Sequence, residues 1–270
     1  MLAWDVARAV REALPGATLA VLARPQLDIA QPDSVRSAFQ EVRPQIVFNC
    51  AAYTNVDGAE TQRLAAEQAN AEGVGLLAEA CRASAARLIH FSTDQVFNGL
   101  SSVPYTEEDA AAPCNFYAQT KLAGEAFALS GPDNLVLRVQ WLYGERKDRF
   151  TPLRTKEVFN AFEDQFGSPT WTREIAAILL PLLKRGANGL FHFAYDDYAS
   201  WAQVFAFAKE SWNLPVKLVP TATAAAKLPA ARPRFSVLSN RKLCQALGFS
   251  GMGSWKRPLG EFLKQAQSRT

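Results

Sequence analysis

The sequence predicts an α/β protein: a doubly wound parallel sheet with a small, mostly helical lobe made by the C-terminal part. Three observations predict it. Strand-like and helix-like runs alternate through the first half of the chain, the pattern of right-handed βαβ units. The strand-like runs "QIVFNCAA", "ARLIHFST" and "NLVLRVQWLYG" lack alternating polar positions, so the sheet is covered on both faces. After about Tyr143 the alternation gives way to the loop-rich "KDRFTPLRTKEVFNAFEDQFGSPT", and from about Asp196 to short helices between proline-containing loops such as "PAARPRF". The expected division is residues 1–145 plus about 172–195 for the sheet domain, and about 146–171 plus 196–270 for the second lobe. That lobe packs against the carboxyl ends of the strands, where open α/β sheets take ligands.

The elements follow in order. "MLAWDVARAV" reads as an amphipathic helix: Leu2, Val6 and Val10 form a stripe that Trp4, Ala7 and Leu14 widen, and Pro15-Gly16 ends it. Thr18–Ala23 reads as a strand, and "DSVRSAFQEV" as a helix with Pro32 in its first turn. Gln45–Ala52 is a buried strand, "ETQRLAAEQANAEGVGLLAEACRAS" a long helix, and Ala85 starts the next strand. "FYAQTKLAGEAFAL" and "TREIAAILLPLLKRG" are helices and "GLFHFA" is a strand. The Ala-rich "TATAAAKLPAA" is a helical turn leading into a loop.

Composition excludes several classes. The net charge is only +3, with Lys and Arg scattered, so neither nucleic acid nor a membrane surface is an expected partner. There is no apolar run of about 18 residues and no basic-then-apolar leader, so the expected location is the cytoplasm. The four cysteines, Cys50, Cys81, Cys114 and Cys244, are far apart and read as free thiols of a reducing compartment. The two histidines, His90 and His192, lie inside apolar strand-like runs; no metal site is expected.

Four stretches could carry chemistry. In "YAQTK", Tyr117 and Lys121 are four apart on a helix and share a face. An ammonium near a phenol favours the phenolate, so the pair could give a proton to a carbonyl oxygen as hydride reaches its carbon; the spacing alone is common. In "FSTDQVF", Ser92, Thr93 and Asp94 sit where a strand leaves the sheet, either a site or an ordinary turn. "NCAAYTNVD" places the small Ala51 and Ala52 at another strand end, for close approach of a flat cofactor or for tight packing. Asp28 could accept from an adenine amino group or begin a turn. Arg24 could meet a ribose phosphate or lie solvated on the surface.

Together these stretches resemble the extended short-chain dehydrogenase/reductases, and within them the dTDP-4-dehydrorhamnose reductase family. The resemblance runs over "LDI", "NCAAYTNVDGAE", "STDQVFNG", "PCNFYAQTKLAGE", "RVQWLYGE", "DQFGSPTWT", "GLFHFA" and "RPRFSVLSNRKL". It implies a Rossmann-type fold and a catalytic triad of Thr93, Tyr117 and Lys121. Thr93 would hold the sugar's 4-keto oxygen, Tyr117 would protonate it, and Lys121 would lower the Tyr117 pKa and hold the nicotinamide ribose. Asp28, Ile29, Ala51, Ala52 and Tyr53 match cofactor-lining positions; Val56, Asp94, Gln95 and Trp141 match positions near the deoxysugar nucleotide. The implied reaction is hydride transfer from NADPH, or NADH, to dTDP-4-dehydro-L-rhamnose. Some relatives bind magnesium, and a homodimer is compatible with the family. Gln95 stands where the family usually has Tyr, Ala118 where it has Gly, and Gln140 where it has Ser or Thr.

The family also begins with a strand and a glycine-rich phosphate loop. Here Ala3 takes the loop's last small position, and the strand and first two glycines have no counterpart. The expected place of that strand is mid-sheet, between Thr18–Ala23 and the strand starting at Ala85. Its loss would leave unpaired ladder groups, each costing on the order of 1–3 kcal/mol when buried. The 270-residue chain is therefore expected to bind NADPH poorly and to turn over little. Two other readings stand beside the reductase. One is a non-catalytic regulatory or scaffolding relative, such as the methionine adenosyltransferase regulatory subunit. The other is a sugar-nucleotide epimerase or reductase with a different sugar.

Overall fold

The computed structural model describes residues 1–268. Helix α1 (Leu2–Ala13) is followed by α2 (Pro32–Val42), strand β1 (Ile46–Asn49), α3 (Gly73–Ala83), β2 (Arg87–Thr93), α4 (Phe116–Leu129) and β3 (Leu135–Val139). Then come β4 (Val158–Phe162), α5 (Thr172–Lys184), β5 (Gly189–His192), α6 (Trp201–Ser211), β6 (Lys217–Thr221), α7 (Arg241–Leu247) and α8 (Lys256–Gln267). The main sheet is parallel, in the order β1-β2-β3-β5. Asn49 is in register with His90, and Thr93 with Val139, so three strands end at one edge.

Both faces are covered, which is why the strands carry so few polar residues. Ile89, Phe91, Leu135 and Leu137 pack with Leu2, Val6 and Val10 of α1 and Ile175 and Leu179 of α5. On the opposite face Leu88 and Val136 pack with Val35, Val74, Leu77 and Ala128. Buried Asp5 of α1 accepts a hydrogen bond from Thr172 at 2.5 Å, tying α1 to the start of α5.

Several sequence expectations need correction. Thr18–Ala23 is not a strand: it is irregular, with Val21 54% and Leu22 40% exposed. A strand needs a partner ladder, and among the described residues none lies beside this segment. The expected neighbour is also wrong. Both edges of β2 are paired, by β1 and β3; the open edge belongs to β1, where Ile46 is 41% exposed. Trp4 and Leu14 do not join the buried stripe of α1; Trp4 is exposed beneath the Arg146 guanidinium.

The long helix expected before β2 runs without a gap from Arg63 to Ala83, as Arg63–Glu67, a π turn Gln68–Glu72 and α3, and a separate short helix Val56–Ala59 precedes it. The π turn accommodates buried Asn70, whose amide holds the Tyr53 backbone at N and O and reaches Thr120. Such bulges recur where a side chain must be placed against the helix ladder. The late region, expected to be loops and helices, contains the parallel pair β4–β6. Thr223–Ala226 is the expected helical turn, a 3-10 turn. All four cysteines are free. No helix among the described residues is long and apolar enough to cross a membrane.

Candidate active site

The carboxyl end of β2 supplies the first two groups. Thr93 caps a 3-10 turn, accepting from the Gln95 amide at 3.2 Å, and its hydroxyl donates to Asp94 Oδ1 at 3.1 Å. Asp94 is buried; burial pushes its carboxyl up to about 6, against donors on Ser236 and Thr93. Ser236, from the "RPRFSVLSN" stretch, was not singled out in the sequence, although that motif was.

Helix α4 supplies the next two. Its cap is Asn115, whose Oδ1 accepts from Ala118 N at 2.8 Å. The same side chain donates to Gln95 Oε1 at 3.0 Å and to the Ala231 carbonyl at 2.9 Å. One residue thus joins helix α4, the end of β2 and a late loop. Gln95 accordingly has its side-chain oxygen engaged. A second tie between the late loop and the strand ends is the Arg232–Asp57 ion pair at 2.9 Å.

Tyr117 is buried among Val56, Tyr53, Ala59 and Phe116. Burial pushes its phenol up to about 12, not down as the sequence suggested; Thr93 and Arg149 favour the ionised form and Asp94 opposes it. Lys121 does not act on it in this structure. Buried Lys121 instead donates to the Phe91 carbonyl at 2.6 Å and lies 3.3 Å from His90 Nε2. Burial lowers its ammonium to about 8, while Glu125 and Cys50 pull the other way. The reason is directional. A lysine four residues on shares the tyrosine's helix face, but its ammonium is directed to the Phe91 carbonyl and the His90 ring of β2.

Other candidates separate into groups. Thr93, Asp94 and Tyr117 come together with Val56 and Tyr53. Trp141 stands after β3 with φ of +48°, stacked on Trp201 at 3.9 Å. Its ring fills the space a Cβ on Gly167 would need. Arg149 anchors its Nε on the Leu142 carbonyl at 2.8 Å and lies over Trp201. Ala51 and Ala52 are exposed just past β1, and Ala3 is exposed in the first turn of α1. Asp28 pairs with Arg24 at 2.9 Å and accepts from Ala30 N, which is the turn reading; that amide holds its carboxyl below the usual range. Ile29 is buried against Val35 and Val74. No group of three or more His, Cys, Asp or Glu side chains that could hold a metal occurs among the described residues.

Residues 1–268 match the family model described as the RmlD substrate binding domain. The chain belongs to that family. It is 36% identical to a dTDP-4-dehydrorhamnose reductase of Burkholderia thailandensis, over 95% of this chain and 93% of that one. It is 37% identical to a probable dTDP-4,6-dihydroxy-2-methyloxan-3-one 4-ketoreductase of Streptomyces antibioticus, over 90% and 85%. Among solved structures, a dTDP-4-dehydrorhamnose reductase of Clostridium acetobutylicum matches with a TM-score of 0.90 at 31% identity, covering 97% of this chain and 96% of that one. A Bacillus anthracis dTDP-4-dehydrorhamnose reductase in complex with NADP matches with a TM-score of 0.90 at 29% identity, over 96% and 95%. Membership of the RmlD family goes with the Rossmann-type fold described above.

Proposed function

We propose that the chain is an NADPH-dependent reductase of a nucleotide-linked 4-keto-6-deoxysugar, with dTDP-4-dehydro-L-rhamnose as substrate and dTDP-L-rhamnose as product. The observation that carries this reading is the meeting of Thr93 and Tyr117 at the end of β2, one helical turn from Lys121, in a chain of this family.

The residues present fit a dinucleotide. Ala51 and Ala52 leave exposed backbone at the end of β1, and Asn70 holds Tyr53 beside them at 2.8 and 3.0 Å. These residues, with Ala3 and Arg24, would hold the cofactor, which when bound supplies the hydride. Tyr117 keeps its proton at neutral pH, the form that protonates a keto oxygen. Thr93 orients that oxygen by a hydrogen bond, and Arg149 and Thr93 stabilise the phenolate left behind. Atoms balance: one hydride to carbon and one proton to oxygen turn the ketone into an alcohol. No group of three or more His, Cys, Asp or Glu side chains among the described residues offers magnesium a donor set, and no step is routed through it.

The test is NADPH oxidation with dTDP-4-dehydrorhamnose and with other 4-keto sugar nucleotides. Turnover that is highest on the first supports the reading. Faster turnover on another 4-keto sugar keeps the chemistry and overturns the substrate. A folded protein with no turnover on any of them overturns the reductase and favours the scaffolding reading.

A further inference from the structure

Between Lys121 and the end of β1 lies a short buried chain of polar groups that the proposed mechanism leaves unused. Asn49 Oδ1 accepts the Ala51 amide at 3.1 Å, which turns Asn49 Nδ2 toward His90 Nδ1, also at 3.1 Å. A carboxamide NH2 can only donate, so His90 Nδ1 must accept. A neutral ring that accepts at Nδ1 carries its proton on Nε2. Complete burial holds this imidazole well below its ordinary range, so the doubly protonated ring does not compete. His90 Nε2 lies 3.3 Å from Lys121 Nζ. An N–H facing an ammonium would be donor against donor. Lys121 must therefore present a lone pair, while one of its own protons goes to the Phe91 carbonyl at 2.6 Å.

We propose that Asn49 and His90 form a tautomeric relay that sets the charge of Lys121, with His90 donating from Nε2 to a neutral amine in the unliganded protein. The opposite state needs Asn49 to present its oxygen to His90, which releases the Ala51 N–H. His90 then carries its proton on Nδ1, and Nε2 accepts from a charged Lys121. The switch thus links an amide at the exposed strand end to the charge beneath Tyr117. His90 and Asn49 are positioning residues in this scheme. Its catalytic meaning rests on the reductase reading, but the relay itself does not.

The other titratable groups around Lys121 do not decide the tautomer. They are Cys50 beyond β1 and Glu125 one turn later on α4. Glu125 is held by a two-pronged pair with Arg138 of β3 at 2.8 and 2.7 Å. The Met1 amino group favours the Cys50 thiolate, which burial otherwise pushes up to about 12.

His192 is an internal control. Its Nδ1 faces the Tyr105 carbonyl at 3.2 Å and its Nε2 faces the Arg138 guanidinium at 3.2 Å. A carbonyl only accepts and a guanidinium only donates, so His192 carries its proton on Nδ1. The chain has two histidines, and they should show opposite tautomers in one spectrum.

The test is a two-bond proton–nitrogen correlation spectrum of the isotope-labelled, cofactor-free chain at about pH 9, above the value of about 8 to which burial lowers Lys121, with His192→Gln to assign the signals. The expected result is a proton on Nε2 of His90 and on Nδ1 of His192. Asn49→Asp places an acceptor at both positions of the side chain. It should move the His90 proton to Nδ1 and raise the proton affinity of Lys121 at least about tenfold, read from the shift of its labelled ε-carbon. A charge effect alone would raise Lys121 without turning the ring, and that result overturns the relay. So does a wild-type His90 already protonated on Nδ1, a measurement that stands even if Asn49→Asp does not fold. Neither readout involves turnover, so failure here is distinct from failure of the reductase reading.

Discussion

Ser236 donates a hydrogen bond to the buried carboxylate of Asp94, closing a late segment onto the end of β2. Burial raises the Asp94 carboxyl from 3.8 to about 6. The folded state therefore holds this proton more tightly than the unfolded one. The contribution of Asp94 to stability is fully present below pH 3.8 and is lost as pH rises through about 6. Ser236→Ala removes a donor to the charged form. The Asp94 carboxyl should rise further, and the variant should lose about 1.5–3 kcal/mol more above that window than below it. Urea midpoints across pH, with the labelled carboxyl shift of Asp94, check both statements.

Removing the Tyr117 hydroxyl should abolish the proton delivery without disturbing the core. Tyr117→Phe is expected to lower kcat by about 10²–10⁴-fold with an unchanged melting temperature. Thr93→Ala should lose both the substrate contact and a group that favours ionised Tyr117, whereas Thr93→Ser should recover most of the rate. Steady-state NADPH oxidation reads all three.

Gly124 of α4 lies against the π turn, and a Cβ there would run into the Asn70 carbonyl. Gly124→Ala should therefore destabilise the fold by about 1–3 kcal/mol, as overpacking does. Because Asn70 also holds the Tyr53 backbone, the same variant should weaken cofactor binding. Thermal unfolding and titration of NADPH separate the two effects.

The Arg138–Glu125 pair is buried on both sides. Glu125→Ala should cost about 3–5 kcal/mol, since it strands a buried guanidinium. Replacing both partners by apolar residues of similar volume should cost much less. Denaturant unfolding of the single and double variants decides between them.

Much of this was legible in the sequence because it rests on local patterns. The apolar strands before Cys50, Ser92 and Val139 announced a sheet covered on both faces. The i, i+4 spacing of Tyr117 and Lys121 set them on one helix face. Asn115 and Ser236 were not legible as site residues, because their partners Gln95, Ala231 and Asp94 are remote in sequence. Thr18–Ala23 misled for the complementary reason: its composition suits a strand, but a ladder needs a neighbour that composition does not reveal.

By itself the sequence determined the class of fold, the family and the residue types that can move a proton, because helix and strand periods and short motifs are written along the chain. The tertiary structure alone decided which charges act on which groups. It turned Lys121 to His90 and Phe91, brought Arg149 toward Tyr117, and buried Asp94 against Ser236. Burial and distance set ionisation and hydrogen-bond direction, and neither quantity exists before the chain has folded.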